Sequence, residues 1–517
     1  MFFKNYIKQG IQSLSRTKSR AIPACTGGWN SRDSLADMDE KDAVVLDNYF
    51  PDGTKTTLRQ GFASHGIGMS GDVNTLMVYS PTSGTQKLIA ANGEYIYDVS
   101  SAGAATELKD SYTSDKWQST NMGTSGGQFL LGFNGADTPF VYDGTTWGNT
   151  TITGPTVANL IWCAVHQNRL WTGEKNSLIA YYGGVNSIGG AFTAFNLYSV
   201  AQKGGYLMGM VTWTRDGGSG ADDVAVFVTS EGEYIVYSGT DPSDATKWSL
   251  VGIFRLGKPI GRRFFEKIGA DVILITEDGF ISLSTMLSVD RSQSSKAALS
   301  DKINIVLNSS VTQYRSNFGW QALVYPASKM IIFNIPISAT ESYQYVFNSI
   351  TSAACRFKGM NATCFAVCND KLYFAGHDGV VYRADYGYSD NGGNIEGEIF
   401  PAFSYFGSPQ LVKSFSLAEV VFEGEVQIIP SKQLNTDFKM NKYLSSSTSI
   451  ELGNSSLWDT ALWDVATWGG GVDIFRKWQS AIGIGRSASL RIKTSTKTAR
   501  PSVISINYIY KTGGFLR

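Results

Sequence analysis

The sequence predicts an all-β protein: an N-terminal arm, an irregular β-propeller of six or seven blades, and a C-terminal β domain of sandwich or barrel type. Three observations predict it. First, an apolar run, a Gly-containing turn and a second run rich in Tyr recur along residues 61–390. Second, seven such turns fall near 93, 135, 173, 232, 279, 337 and 379, about 48 residues apart on average. That is the period of propeller blades, small sheets that bury their faces only by packing on neighbours around an axis. Third, the chain is rich in turn formers and large rings, with 55 Gly in 517 residues and 13% aromatics, while helical periodicity is scarce.

Taken in order, residues 1–20 carry five basic residues and no acid, with Phe3, Ile7, Ile11 and Leu14 at helical spacing. They read either as an amphipathic arm that docks on a partner or as a frayed basic terminus. No apolar stretch follows the basic residues as a signal peptide requires. The first hairpin, KLIAANGEYIYDV, turns at Asn92-Gly93, a pair that tolerates the positive φ of a type I′ turn. The others turn around Asn134-Gly135, Gly173, Glu231-Gly232, Asp278-Gly279, the region of Pro336, and Asp378-Gly379. Uneven spacing points to inserted loops such as 216–223 (DGGSGADD). Helix is scarce throughout, and 295–307 (SKAALSDKINIVL) is one of the few plausible segments. A polar, Gly-rich joint over 386–398 leads into period-two runs, so residues 396–517 read as the second β domain.

Composition excludes several classes. Forty-four Lys+Arg balance 44 Asp+Glu, whereas an electrostatic nucleic-acid binder shows a basic excess. Disorder needs low hydrophobicity and high net charge, and no apolar run is long enough for a membrane-spanning helix. Cys25, Cys163, Cys355, Cys364 and Cys368 are odd in number and irregularly spaced, and only His65, His166 and His377 accompany them. The expectation is buried free thiols and no metal site.

No residue is nominated as catalytic, cofactor-binding or metal-ligating. The acidic pairs Asp222-Asp223 and Glu277-Asp278 fall in expected turns, where carboxylates are solvated. A P-loop string is absent, no nucleophile-elbow string G-x-S-x-G is placed between an expected strand and helix, and the Asp-box spacing of sialidase-type propellers does not fit VYDGTTW (141–147) or SGTDPSDATKW (238–248). His166 and His377 lie in hairpins, so counting alone does not exclude a Ser/His/Asp set. Trp458, Trp463 and Trp468 recur at intervals of five, with Asp459 and Asp464 after the first two. A carbohydrate platform is one reading. A five-residue period puts rings on no single helix or strand face, which favours packing or an interface.

Residues 27–62, GGWNSRDSLADMDEKDAVVLDNYFPDGTKTTLRQGF, form a turn, a short apolar run, a second turn and a strand. The order resembles the opening of tail nozzle (tail tubular) proteins of short-tailed, podovirus-like bacteriophages. In that family a GG-[LW]-N-x-R-D stretch precedes DA-[VL]-x-LDN-[WY]-FP and LR-x-G. The matching positions are Gly27, Gly28, Asn30, Arg32, Asp33, Asp42, Ala43, Leu46, Asp47, Asn48, Tyr49, Phe50, Pro51, Leu58, Arg59 and Gly61. FSYFG (403–407), SLWDTALWD (456–464), Trp478-Gln479-Ser480 and Gly513-Gly514 are similar to the family's C-terminal domain. The resemblance covers roughly the first 60 and last 120 residues, and its motifs are structural. It implies a non-enzymatic virion protein, assembled in the host cytoplasm, that forms a homohexameric ring at the distal end of the tail. The ring continues the ejection channel below an adaptor, holds tail fibres or tailspikes, and retains the genomic DNA without reading its sequence. The alternative is a propeller that binds or hydrolyses glycans of the host envelope, which predicts a pocket on the propeller axis with clustered carboxylates or arginines. A secreted or periplasmic lectin propeller fits less well, for want of a leader and an even cysteine count.

Overall fold

A computed structural model describes residues 17–214, 223–288, 296–440, 450–452 and 473–513. The sequence readings placed on residues 1–16, on the inserted loop up to Asp222, on Ser295, on the 456–464 stretch and the Trp458/Trp463/Trp468 run with Asp459 and Asp464, and on Gly514 lie outside these.

Seven small antiparallel sheets follow one another around an axis, each beginning with its innermost strand. The innermost strands of blades 1 to 7 are Val73–Tyr79, Gln118–Thr124, Leu160–His166, Leu207–Thr214, Phe265–Ile268, Gln321–Tyr325 and Ala362–Cys368. Blade 7 is closed by a strand from the other end of the propeller: Phe62–Ile67 pairs antiparallel with Val381–Ala384. Phe62 seals this closure with edge-to-face contacts to Phe374 (5.1 Å) and Tyr382 (5.2 Å).

Each inter-blade gap is filled by apolar side chains from both neighbours. Met77, Trp117 and Phe140 pack between blades 1 and 2. Met122, Leu131 and Leu170 pack between blades 2 and 3, and Trp162, Trp171 and Phe227 between blades 3 and 4. Leu76, Leu88 and Cys364 pack where blade 7 meets blade 1. Fully burying one such side chain contributes about 1.5–3 kcal/mol, so the ring is held mainly by these layers.

Six of the seven expected turns connect the second and third strands of their blades. The exception is Gly173, which lies inside the strand Arg169–Glu174, while the turn follows at Lys175. The glycine is there for space: a Cβ would fall 2.5 Å from Nε1 of the buried Trp162. The expected helix is also displaced. Residues 298–300 instead run along the edge of the three-stranded blade 5, where Leu299 N–H donates to Phe280 O (2.9 Å) and Phe280 N–H to Ser300 Oγ (3.0 Å). A short α-helix, Leu283–Ser288, precedes this edge, and the longer helix begins after it, at Asn304–Tyr314.

The second domain is a β-sandwich. One sheet contains Asp42–Asp47, Ile395–Pro401, Ala488–Thr496 and Ser431–Thr436. The other is built on Ser502–Thr512, flanked by Lys413–Gly424 and then Asp473–Gly485 on one side, and by Thr17–Pro23 and Thr56–Leu58 on the other. Tyr49 and Tyr508, both fully buried, tie the sheets together: Tyr49 Oη bonds Thr494 Oγ1 (2.8 Å), and Tyr508 Oη accepts Leu490 N–H (3.1 Å). Residues 17–58, expected as part of a separate segment over 1–60, thus contribute the strands Thr17–Pro23, Asp42–Asp47 and Thr56–Leu58 to the sandwich. The first sheet also continues into the propeller, because Asp47 pairs parallel with Arg356 of the outermost strand of blade 6, Ala354–Phe357. One nine-stranded sheet therefore crosses the domain boundary.

Candidate functional site

The residues of the 27–62 signature gather at that boundary. Gly28 has φ +85°, and a Cβ there would meet the Ala354 backbone at 2.6 Å, so this turn lies directly against blade 6. Trp29 packs edge-to-face on Tyr345 (5.3 Å), and the Arg356 guanidinium is held between the Trp29 and Tyr343 rings (5.1 and 5.5 Å). Asn30 is buried. Its Nδ2 donates to Asp33 and Asp42 (both 2.8 Å), while its Oδ1 accepts the Arg32 and Asp33 N–H groups (both 3.0 Å). Asp42 takes Lys302 Nζ at 2.8 Å and Arg32 pairs with Asp301, which ties the loop to the turn before the helix. The Arg32 hydrogen bond, with that of Asn30, holds the Asp33 carboxyl below its usual range.

The second half of the signature forms a denser network. Asp47 accepts Arg356 Nε and Nη2 (2.7 and 2.9 Å) and Lys358 Nζ (2.6 Å). Burial opposes the charge on Arg356, and its hydrogen bonds to Asp47, with that carboxylate's charge, more than offset it, so its pKa rises. Asn48 takes the left-handed conformation (φ 58°), which suits asparagine among non-glycine residues. Its Oδ1 accepts Arg59 Nε (2.9 Å) and Lys358 N–H (2.8 Å), and its Nδ2 donates to Glu396 O (2.8 Å).

Arg59 is 1% exposed and uses all five of its N–H donors. Nε serves Asn48, Nη1 serves Gln60 O (2.9 Å) and Asp390 Oδ1 (2.8 Å), and Nη2 serves Lys358 O (2.9 Å) and Asp390 Oδ2 (2.6 Å). Gly61 lets the chain pass the Ser389 carbonyl, which a Cβ would approach to 2.0 Å. The signature therefore joins the propeller to the sandwich. Its charges are spent on one another, leaving little to act on a substrate.

The groups weighed for catalysis lie apart. His65 stands on the closing strand, with Nε2 3.0 Å from Val99 O, and burial lowers its pKa. His166, at the end of the blade 3 inner strand, bonds Thr212 Oγ1 (3.1 Å), and burial pushes its pKa down to about 4. His377 faces Asp72 (3.0 Å) in the blade 7 turn. Glu277 pairs with Arg315 at the surface (2.8 Å), and Asp223 accepts the Thr214 hydroxyl (2.6 Å). The five cysteines are unpaired, and burial pushes the Cys25 thiol up to about 12. Among the described residues no three His, Cys, Asp or Glu stand together as metal ligands, and no helix is long and apolar enough to cross a membrane.

A feature that the sequence reading passed over lies at the propeller axis. Arg262 and Arg263, in the connection entering blade 5, reach the opposite side of the ring. Arg263 Nη2 donates to Asn74 O (2.8 Å) and Thr75 Oγ1 (2.9 Å) of blade 1. Gln118 Nε2 of blade 2 donates to Arg262 O (3.0 Å). Blades 1 and 2 are not neighbours of blade 5, so these contacts close the axis at the end where the inner strands begin. The available signal was the string PIGRRFF (259–265), in which two arginines directly precede an apolar strand.

No protein-family model matches the chain, and no curated protein matches it. Among solved structures, BBS1N in complex with ARL6DN is similar at 10% identity and TM-score 0.41, over 63% of this chain and 97% of that one. The computationally designed Ika8 protein is similar at 11% and 0.36, over 62% and 99%. Streptogramin B lyase is similar at 12% and 0.39, over 60% and 93%. At these values the likenesses carry no functional argument.

Proposed function

We propose that the protein is a non-enzymatic structural subunit of a short-tailed phage virion. In this reading six copies form the nozzle ring below the tail adaptor, continue the ejection channel, hold fibres or tailspikes on their flanks, and retain the genome until ejection. The observation that carries the reading is the strand Asp473–Gly485 of the sandwich. It is 13 residues long and, among the described residues, ends its sheet, and Ile474, Trp478, Ile482 and Ile484 on it are 56%, 42%, 82% and 69% exposed. A long, apolar edge strand left open is a liability that monomeric proteins avoid. A ring subunit uses such a strand as a head-to-tail contact surface.

Two further observations support it. The joint built from the signature residues holds propeller and sandwich in one orientation, as a closed ring of copies requires. The balance of 44 cationic against 44 anionic side chains suits a conduit, since a strongly basic lumen would bind the duplex and slow it. Purified full-length protein, alone or with its adaptor, is expected to form sixfold rings in negative-stain images. A chain that stays monomeric with adaptor and portal present, and is missing from virions, would refute the reading.

The glycan-binding alternative has one observation in its favour, the arginine-bearing pocket at the propeller axis. That pocket is lined by no carboxylate, so it lacks the acid pair that glycoside hydrolysis uses and favours binding alone.

A further inference from the structure

The closed end of the propeller axis holds a cavity of about 260 Å³, lined by residues of blades 2, 3 and 4 and of the connection entering blade 5. Ile161, Leu207 and Met208 give it an apolar wall, and Tyr206, 38% exposed, stands at its mouth. Gln118 and Asn176 contribute amides. Two cations, Lys175 and Arg262, line it without a single Asp or Glu.

The two adjacent arginines are used differently. Arg263 is committed to the fold: it bonds Asn74 O and Thr75 Oγ1, and its guanidinium lies over the Phe318 ring at 5.4 Å. Arg262 has one side-chain hydrogen bond, from Nη1 to Lys116 O, at the limiting distance of 3.5 Å. Among the described residues it has no carboxylate partner. Burial is the main effect lowering its pKa, the neighbouring Arg263 adds to it, and Tyr206 works in the opposite direction. The contrast with Arg59, whose five donors are all engaged, is direct. A half-buried cation with unused donors beside a cavity is favoured once an anion fills it, because the fork geometry of the guanidinium matches a carboxylate or phosphate.

Backbone geometry delivers Arg262 to this place. Gly261 has φ +73°, and a Cβ there would press on Trp320 at 2.8 Å. The chain thus turns sharply past Trp320 before the two arginines.

We infer that the cavity at the closed end of the propeller axis binds an acidic sugar residue, with Arg262 paired to its carboxylate or phosphate and Tyr206 against its ring. The volume suits one compact ligand rather than a polymer, falling just below the range of about 300–1,000 Å³ of drug-sized pockets. The apolar wall with two amides fits a body that has both C–H faces and hydroxyls. This site does not depend on the ring-forming role, since every residue in it belongs to one chain.

The test is calorimetric titration of the full-length protein with glucuronate, galacturonate, N-acetylneuraminate and glucose 6-phosphate. Neutral glucose, N-acetylglucosamine and inorganic phosphate serve as comparisons. At least one acidic sugar is expected to bind saturably, more tightly than its neutral counterpart and than inorganic phosphate, with affinity falling as salt is added. Arg262→Gln is expected to weaken that binding at least tenfold while leaving the thermal midpoint near wild type, and Tyr206→Ala to weaken it independently. Equal binding of neutral and acidic sugars, inorganic phosphate binding as well as any sugar, unchanged affinity in a folded Arg262→Gln protein, or no saturable binding at millimolar concentrations would each overturn the assignment. Ring formation, scored separately by negative stain, is untouched by any of these results.

Discussion

At the residue scale, the buried polar groups make the sharpest predictions. Arg59 serves Asn48, Gln60, Lys358 and Asp390 at once. Removing one partner of a buried ion pair costs about 3–5 kcal/mol, because the other charge stays desolvated. Arg59→Ala is therefore expected to lower unfolding stability by about that amount in denaturant titration. Arg59→Lys should recover only part, since three donors on a point charge cannot reach five acceptors. His166 and Glu266 predict opposite pH effects. The folded pKa of His166, about 4 against 6.5, means that the unfolded chain binds the extra proton between those values, so stability from this group falls on acidification through that window. Glu266, on the inner strand of blade 5, is pushed up to about 7 from 4.5, chiefly by burial. It holds its proton in the folded state, so its contribution falls as pH rises from 4.5 to 7. Thermal unfolding across pH 4–8 should show His166→Gln flattening the acid side and Glu266→Gln stabilising most at the alkaline end. Unchanged profiles would mean that neither group is buried as described.

At the element scale, closure of the propeller rests on one short strand. Phe62 is 9% exposed and touches both Phe374 and Tyr382, and truncating a buried Phe to Ala costs about 3–5 kcal/mol. Phe62→Ala is expected to speed hydrogen exchange in 62–67 and 381–384 before it affects blades 2 to 4. Uniform exchange across all blades would contradict a local closure. The blades were legible in the sequence because most depend on local signals: five of the seven expected turns fall where Gly, Asn or Asp supplies the turn conformation, and a sixth follows Pro336. Gly173 misled because its absent side chain accommodates Trp162, a reason that only packing reveals. The displaced helix and the sandwich strands before residue 60 were illegible for a related cause. Residues 298–300 bond to Phe280, and 42–47 pair with 398–401, and no local pattern announces a partner so distant in the chain. The signature was visible as a string, yet its role as a joint required seeing Asp47, Asn48 and Arg59 meet Arg356, Lys358 and Asp390. The axis arginines were missed because a basic pair in a connection has no periodicity to mark it.

At the scale of the whole molecule, the closed axis and the open edge strand bear on how an assembly could conduct DNA. Arg262 and Arg263 cross the propeller between blade 5 and blades 1 and 2, so a duplex cannot run down the propeller's own axis without breaking those contacts. A channel built from this protein must then lie between copies, bounded by their flanks, and the contact that sets its width must be on an exposed face. Asp473–Gly485 offers that face, with Ile482 and Ile484 at 82% and 69% exposure. Because these side chains contribute little to the core of one copy, replacing them separates folding from assembly. The double variant Ile482→Lys, Ile484→Lys is expected to keep the wild-type thermal midpoint to within a few degrees, since exposed substitutions usually change stability by no more than about 0.5 kcal/mol. In a ring it would set like charges on a desolvated contact, so light scattering after gel filtration should find monomers where the wild-type chain, with its adaptor, forms rings. If the double variant assembles as the wild type does, this strand is not the ring contact, and the role proposed for the sandwich loses its main support.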